Sequence, residues 1–384
     1  MKHLPHDGLG LVPPADADLA HLRRWAAARY RQRFGPWRRA VLLALMRLVW
    51  PAVLTRRALR FARRHRLGWR ETRRLVLDCL AAGAEPNEAL VWRRTFRPAA
   101  PHPLPGKAAT LLLSRLGDPA EHALLADKLA TGQRLAAGNL RVPTLLATIG
   151  DGSLDPDHEI WSVPRQLVIK PRRGWGGRHV NFVDVFGGGW FSVDGGPQST
   201  IEAVRARIAA AGEDLLVQAR VVPVPELADL TAARAPVLRL TTARDPSSLP
   251  FMHSALLTIA VPDENPRHFV RGQLHVPVVP QTGRLVRGIW FLHAGERFAS
   301  LPWNGAPIAD RLLPGFARAA AMAIEAMALF PGLPLVSWDV ILSADGPVIL
   351  EGNSRGDWIL TNLGAIDRSE RSLPALLRSW AILA

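Results

Sequence analysis

The stretch Val336-Ser-Trp-Asp-Val-Ile-Leu-Ser-Ala-Asp-Gly-Pro-Val-Ile-Leu-Glu-Gly-Asn353 is the part of this chain that decides its fold. Two apolar runs flank Ala344-Asp345-Gly346, a typical turn sequence, and together they predict a β-hairpin. If the turn centres on Asp345, then Asp339 faces Glu351. Directly opposed strand residues hold their Cβ atoms about 4.5–5.5 Å apart. Asn353 lies two residues beyond Glu351, on the same face of the strand.

These three side chains predict a metal site. Two carboxylates at that distance, on strands otherwise built of Val, Ile and Leu, repel each other unless a cation lies between them. Two carboxylates and one amide oxygen suit Mg²⁺ and leave coordination positions for phosphate oxygens. Asp339, Glu351 and Asn353 are therefore the predicted ligands. The alternative is an edge hairpin with solvated acids, which the matched positions and apolar flanks disfavour.

The composition is that of a globular protein of 384 residues with a formal charge of +15. The single cysteine, Cys79, excludes an internal disulfide and fits a reducing compartment. The opening ten residues are too polar for a signal peptide. The most hydrophobic stretch, 41–54, contains Arg47 and Pro51 and is shorter than the roughly 20 residues that span a bilayer. We therefore expect a soluble cytoplasmic protein.

The positive charge is concentrated near the start of the chain. Residues 21–100 contain 20 arginines and only four acids. Such a region attracts nucleic acid, another polyanion, or anionic lipid at the inner face of the membrane. The alternative is a solvated basic helical face, and the sequence leaves both interpretations open.

The periodicity divides the chain into four parts. Residues 1–18 are rich in Pro, Gly and Asp and predict a flexible terminus. Residues 19–105 predict a basic helical region with breaks at Gly35-Pro36, Pro51, Gly68 and Pro86. Residues 106–165 predict a small α/β segment with a helix over 119–136. Residues 166–384 alternate strands and helices, which predicts an α+β fold.

Lysine is rare in this chain, and two of its positions are informative. There are four lysines against 44 arginines. Lys170 ends an apolar strand and Lys128 lies in a helical pattern, so both are candidate phosphate ligands. Gly174, Gly176 and Gly177 follow Lys170 in a loop whose backbone N–H groups can approach an anion. The loop has neither the Walker pattern nor the helix that follows a Rossmann turn.

The order of these elements resembles the ATP-grasp superfamily, and most closely its sugar-transfer-associated group. The resemblance covers about residues 120–365. Its motifs are Asp127-Lys128, Leu167-Val-Ile-Lys-Pro-Arg-Arg-Gly-Trp-Gly-Gly177, Leu216-Val-Gln-Ala-Arg220, Val237-Leu-Arg-Leu-Thr-Thr242, Ser337-Trp-Asp339 and Leu350-Glu-Gly-Asn353. Each motif is weak alone, but six in the right order are specific.

The resemblance implies an ATP-grasp fold, in which two α+β lobes clasp a nucleotide. It implies ATP and two Mg²⁺ ions as cofactors, the metal being held by Asp339, Glu351 and Asn353. The implied ATP contacts are Lys128, Lys170, the glycine loop Gly174, Gly176 and Gly177, then Gln218, Arg220 and Glu226. Gln218 stands where many relatives have an acid. Arg239 would stabilise the transferring phosphoryl group, or else pair structurally with an acid.

The resemblance also implies a reaction class. A small-molecule carboxylate would be activated as an acyl phosphate and then joined to an amine or other nucleophile, with a sugar, peptide or cell-surface precursor as the molecule to be modified. Arg355, beyond the metal ligands, and Arg271 are candidates to bind the carboxylate. A kinase that phosphorylates a hydroxyl, and a non-catalytic binder that docks on membrane or nucleic acid, are the alternatives. Many relatives dimerise, so a homodimer is compatible with the resemblance.

Overall fold

The computed structural model has an α+β architecture with two antiparallel sheets. It describes residues 17–31, 35–95, 112–150, 159–174, 179–187, 189–210, 212–232, 234–265, 272–293, 296–355, 360–361, 363 and 373–383. Within these ranges, no helix is both long enough and apolar enough to cross a membrane.

Four helices come first: α1 (Ala17–Arg31), α2 (Pro36–Arg64), α3 (Trp69–Ala82) and α4 (Pro86–Thr95). The predicted break at Pro51 is wrong, because α2 continues through that residue. A proline inside a helix removes one backbone hydrogen bond. The buried residues Leu54, Ala58 and Ala62 follow it, and Ala58 packs in one core cluster with α3, so tertiary packing preserves the helix.

The smaller sheet has the strand order β1-β5-β2-β3-β4. Its strands are β1 (Leu145–Ile149), β2 (Arg165–Pro171), β3 (Asn181–Gly187), β4 (Trp190–Val193) and β5 (Leu215–Ala219). Helices α5 (Pro119–Ala126) and α6 (Lys128–Ala137) precede it, and α7 (Ile201–Ala209) lies between β4 and β5. The core of this lobe is aliphatic, with Leu167, Ile169 and Val217 fully buried.

The larger sheet has the strand order β11-β10-β6-β7-β8-β9. Its strands are β6 (Val237–Ala243), β7 (Phe251–Ala260), β8 (Gln273–Val278), β9 (Ile289–Trp290), β10 (Leu335–Ser343) and β11 (Gly346–Asn353). The long apolar helix α8 (Phe316–Ala328) packs against it through Ala319, Ala323 and Met327. The strand β9 is short, because only Ile289–Trp290 of the apolar stretch 285–291 forms a strand.

The last described helix, α9 (Leu373–Leu383), packs against the first one, α1. Leu22 of α1 is fully buried in one cluster with Leu373, Leu376 and Leu377. An ion pair between Arg378 and Asp18 lies on the same contact. The first helix of the basic region therefore packs on the C-terminal helix.

The helix predicted over 119–136 is in fact two helices. Asp127 has an extended backbone (φ −98°, ψ 103°) and caps the start of α6, accepting the N–H groups of Leu129 and Ala130 at 3.1 and 3.2 Å. An aspartate that caps a helix N-terminus satisfies backbone donors that would otherwise lack partners. Lys128 is consequently the first residue of a helix, where the prediction had it inside one.

Candidate active site

The hairpin β10–β11 places Asp339 opposite Glu351 and Ser337 opposite Asn353, as predicted. The reason differs from the prediction. Near the turn, Ser343 pairs with Gly346, so the turn consists of two residues and the register there is one residue off. The register shifts between Asp339 and Val340, leaving Leu350 as an extra residue in a β-bulge.

This bulge is what creates the carboxylate pair. A one-residue change in register turns every side chain of a strand to the other face. Continued from the turn without a bulge, the pairing would put Leu350 opposite Asp339 and turn Glu351 to the other face. A bulge also withdraws one residue from the ladder. The carbonyl oxygen of Leu350 instead accepts a hydrogen bond from Lys170 Nζ at 3.1 Å.

Lys170 lies near the end of β2 in the smaller sheet, so this hydrogen bond joins the two lobes. Its residue is only 7% exposed. Burial lowers the pKa of the Lys170 ammonium to about 8, with Lys128 adding to the shift and Glu351 and Asp339 opposing it. A desolvated cation is stabilised by further negative charge placed beside it.

Lys128, at the start of α6, lies near Glu351 and the glycine loop. Its Nζ donates to the carbonyl oxygen of Gly174 at 2.8 Å and lies 3.8 Å from Glu351 Oε2. As the first residue of α6, it stands at a helix N-terminus, where the helix dipole favours negative charge. Two lysines from different elements therefore flank Glu351.

The glycine loop is anchored at its start. Gly174 has φ +115°, in the left-handed region that favours glycine. Gly176 and Gly177 lie outside the described residues. Asp127 accepts hydrogen bonds from Arg172 Nε at 2.9 Å to each carboxylate oxygen, and from Arg173 at 3.4 Å.

Asp127 thus ties the loop to α6. The backbone N–H of Lys128 also donates to the carbonyl oxygen of Arg172 at 2.9 Å. Burial raises the pKa of the Asp127 carboxyl, but the hydrogen bonds from Arg172 and from the amides of Ala130 and Leu129 outweigh it and hold the pKa below its ordinary value. The carboxylate is therefore charged when it holds the loop.

We expect Asp127→Ala to reduce ATP affinity roughly tenfold, since the loop and Lys128 lose their common anchor, and to reduce the free energy of unfolding by about 1–2 kcal/mol through the lost cap. Titration calorimetry and urea unfolding measure the two effects. Asp118→Ala is the matched control, because Asp118 caps α5 by accepting the Ala120 N–H at 2.8 Å. If both variants bind ATP alike, Asp127 serves only as a cap.

Arg239 and Asp339 are paired in this structure. They face each other across β6 and β10, with Arg239 Nε 2.8 Å from Asp339 Oδ1 and Nη2 3.0 Å from Oδ2. Such two-point arginine–carboxylate contacts are strong and directional. The guanidinium therefore neutralises one of the two opposed carboxylates.

The donor set fits Mg²⁺. Asn353 Nδ2 lies 3.4 Å from Glu351 Oε1, so the predicted amide and carboxylate ligands are neighbours. Among the described residues no group of three His, Cys, Asp or Glu side chains is poised for a metal. Asp339, Glu351 and Asn353 are not such a group, because the third residue is an asparagine. Their oxygen-only donor set is the kind that Mg²⁺ prefers.

A cleft extends from this cluster. Lys128, Gln218, Glu351 and Gly352 line it together with the apolar residues Leu125, Leu135, Val142, Pro143 and Ile349. Gln218 is buried on β5, where it faces Leu145 on one side and Val168 on the other. Apolar walls with convergent polar groups are the usual lining of a small-molecule site.

Two of the predicted ATP contacts lie apart from the lining of this cleft. Arg220 approaches Asp184 at 3.6 Å and lies over the Phe182 ring at 5.2 Å. Glu226 is exposed in a short 3-10 helix, and its carbonyl oxygen accepts from Arg311. The described structure thus brings together Lys128, Lys170, Gly174, Gln218 and the three metal-ligand candidates.

Arg355 is exposed just beyond the hairpin. The preceding residue, Ser354, is buried, and its Oγ lies 2.7 Å from His122 Nδ1. His122 Nε2 lies 2.8 Å from the Leu116 carbonyl oxygen. Burial, with a contribution from Arg355, lowers the pKa of His122. Sequence reasoning assigned His122 no role, and it did not foresee the anchoring of the loop by Asp127 and Arg172.

The family model for sugar-transfer associated ATP-grasp proteins matches residues 108–368. No functionally curated protein matches the chain by sequence.

Several solved structures are similar. D-alanine–D-alanine ligase from Bacillus anthracis, complexed with ATP, is 10% identical with a TM-score of 0.37, over 63% of this chain and 58% of that one. The D-Ala:D-Ser ligase VanG from Enterococcus faecalis is 11% identical with a TM-score of 0.41, over 70% and 64%. N5-carboxyaminoimidazole ribonucleotide synthetase from Thermotoga maritima is 12% identical with a TM-score of 0.35, over 62% and 44%.

The chain therefore spans between 44% and 64% of the length of these solved structures. The family model, in contrast, covers more than half of this chain and includes both sheets and the hairpin. The protein belongs to the sugar-transfer associated ATP-grasp family.

Proposed function

We propose that this protein is an ATP-dependent ligase whose nucleotide- and metal-binding lobes comprise residues 166–384, with the phosphate-binding Lys128 supplied by the segment before them. Its carboxylate substrate attacks the γ-phosphate of ATP, forming an acyl phosphate and ADP. An amine or other nucleophile then attacks the acyl carbon and releases phosphate. The observation that carries the proposal is the contact of Lys170 Nζ with the Leu350 carbonyl, which joins the phosphate-binding strand to the carboxylate hairpin.

Phosphoryl transfer needs positioning and charge neutralisation more than covalent chemistry, and different residues have these roles. Lys128 and Lys170 bind the phosphates beneath the loop that contains Gly174, Gly176 and Gly177. Gln218 orients the adenine within the cleft. Arg220 and Glu226, which lie apart from the cleft lining, are assigned to the nucleotide site on the family resemblance alone, Glu226 at the ribose.

Asp339, Glu351 and Asn353 would hold Mg²⁺ in this proposal. The metal would supply neutralisation of the phosphate charge. Arg239 occupies both oxygens of Asp339, so Asp339 would exchange this partner to become a ligand. Arg239 would then stabilise the transferring phosphoryl group.

The experiment that tests the function has two stages. ATP is first titrated calorimetrically into the protein with and without Mg²⁺, and binding that requires Mg²⁺ is expected. The protein is then incubated with ATP, Mg²⁺, hydroxylamine and a panel of carboxylic acids. A hydroxamate identifies an acyl phosphate and hence a ligase, whereas ADP release on hydroxyl substrates without hydroxamate identifies a kinase. If the folded protein binds no ATP under any condition, the site is vestigial.

We expect Arg355→Ala to raise the Michaelis constant for the acid roughly tenfold or more and to leave that for ATP nearly unchanged. A charge-assisted hydrogen bond to a carboxylate contributes about 1.5–3 kcal/mol. Steady-state kinetics on the identified acid measure both constants. The matched control is Arg287→Ala, since Arg287 is also exposed but lies between β8 and β9. An unchanged constant for the acid would remove Arg355 from this role, and Arg271, outside the described residues, becomes the next candidate.

A further inference from the structure

Helix α2 has a line of exposed apolar side chains. They are Trp37, Val41, Ala44, Leu48, Ala52 and Leu59, and we call them the apolar stripe. Intervals of three, four and seven residues place them along one side of a helix. Trp37 is 68% exposed and Leu48 is 75% exposed, which is unusual for side chains of that size. At 1.5 Å per residue, the 29 residues of α2 extend about 43 Å.

The same helix is strongly basic. It contains eight arginines and no acid. One side of the apolar stripe carries the exposed residues Arg38, Arg56 and Arg60. Two acids of the neighbouring helices are held in ion pairs, Glu85 with Arg57 and Asp78 with Arg93. The surface around the stripe is therefore cationic.

Helix α3 repeats the pattern. Trp69 is 70% exposed and Leu77 is 54% exposed, and Arg70, Arg73 and Arg74 are exposed between them. The core side of α2 is separate, since Leu54, Ala58 and Ala62 are buried. The apolar stripe is thus additional to the residues that hold these helices together.

We propose that the apolar stripe docks on an anionic lipid surface, with α2 lying in the plane of the interface. Amphipathic helices that combine arginines with Trp, Leu and Val bind in this way, through buried apolar area and attraction to anionic headgroups. The stripe would enter the acyl boundary, and Arg38, Arg56 and Arg60 would contact phosphate groups. This docking goes beyond the ligase function and brings the active site to a membrane surface.

The chemistry favours lipid over two other occupants. A nucleic acid would satisfy the arginines but gives no hydrocarbon in which to bury Val41, Leu48 and Leu59. A second copy of this chain would cover the apolar side chains, but a two-fold interface would bring one arginine-rich surface against an identical one. An anionic bilayer satisfies both features at once.

The test uses the full chain in co-sedimentation with vesicles of phosphatidylcholine alone or mixed with phosphatidylglycerol. We expect binding to the anionic vesicles, weakened by salt, and none to phosphatidylcholine. Trp37→Ser/Leu48→Ser should lower the partition coefficient by at least about 100-fold, because each of the two large apolar side chains contributes about a tenfold factor or more on burial. The matched control is Trp190→Ser/Leu249→Ser, which removes equally exposed residues elsewhere (51% and 84% exposed).

A second pair of variants tests the charge. Arg56→Gln/Arg60→Gln should weaken binding roughly tenfold or more, at about fivefold for each arginine near the surface. Arg287→Gln/Arg318→Gln removes the same charge from an exposed part of the larger lobe and should leave binding unchanged. Equal loss in test and control variants would overturn the proposal. So would binding to duplex DNA without vesicle binding, or self-association that Trp37→Ser/Leu48→Ser abolishes.

Discussion

Glu351→Gln is expected to reduce the affinity for ATP in the presence of Mg²⁺ by at least about 100-fold, and to leave the weak binding without Mg²⁺ nearly unchanged. Even outer-shell partners of a metal change its affinity 10–100-fold, so a direct carboxylate ligand should change it more. The substitution keeps the shape of the side chain and removes its charge. Titration calorimetry with and without Mg²⁺ measures the difference between the two affinities.

Glu351 isolates the metal role better than Asp339 does. Asp339→Asn would also break the two-point contact with Arg239 and leave that cation without its partner on the strand. Glu351, in contrast, has Lys128 at 3.8 Å and Asn353 at 3.4 Å as partners, and both are weaker contacts. Glu325→Gln, an exposed glutamate on α8, is the control for a change in net charge. If Glu351→Gln retains full Mg²⁺ dependence, the metal is held elsewhere.

Lys170→Met is expected to stabilise the ATP-free protein at pH 7 by about 2 kcal/mol while it abolishes ATP turnover. A shift of the Lys170 pKa from 10.5 to about 8 corresponds to about 3 kcal/mol of unfavourable burial of the charge. The lost hydrogen bond to Leu350 offsets about 1 kcal/mol of the gain. Methionine fills a similar volume without a charge. Urea unfolding in the absence of metal and nucleotide measures the change.

The pH dependence has a definite sign. Below pH 8 Lys170 is protonated in both the folded and the unfolded state, so the full burial penalty is present. Between about pH 8 and pH 10.5 the unfolded lysine keeps its proton while the folded one loses it. The unfolded state then binds more protons, and the stability of the wild type rises with pH. The advantage of Lys170→Met should therefore shrink across this window. A constant advantage would mean that the pKa of Lys170 is not lowered in the folded state. A less stable variant would mean that the contacts of Lys170 with Leu350 and Glu351 outweigh the cost of burying its charge.

Local sequence patterns correctly predicted the elements whose formation depends on neighbouring residues. The turn at Ala344-Asp345-Gly346 and the apolar runs around it predicted the hairpin, and the apolar run before Lys170 predicted the strand β2. The facing of Asp339 and Glu351 was also predicted, but from the wrong turn. A two-residue turn followed by a bulge at Leu350 gives the same pairing at the site as the assumed three-residue turn. The position of a bulge depends on what the freed carbonyl can bind, which here is a lysine 180 residues away along the chain.

The breaks in helices show the same division. Proline predicts a break because it lacks an N–H, but Pro51 is followed by side chains that pack in the helical core, and that packing decides the outcome. Asp127 was expected to continue a helix because nothing in its neighbours forbids it. It ends one because Arg172 and Arg173 bind its carboxylate from another element.

The sequence by itself determined the classes of element, the residue types of the site and the family to which the chain belongs. These follow from side-chain periodicity and from short motifs, which are properties of neighbouring residues. Only the tertiary structure decided that Lys170 meets the Leu350 carbonyl, that Arg239 holds Asp339, that α1 packs on α9, and that α2 keeps Trp37 and Leu48 exposed. Each of these contacts or exposures depends on elements that are far apart in the chain. A local sequence pattern does not show that such elements pack together.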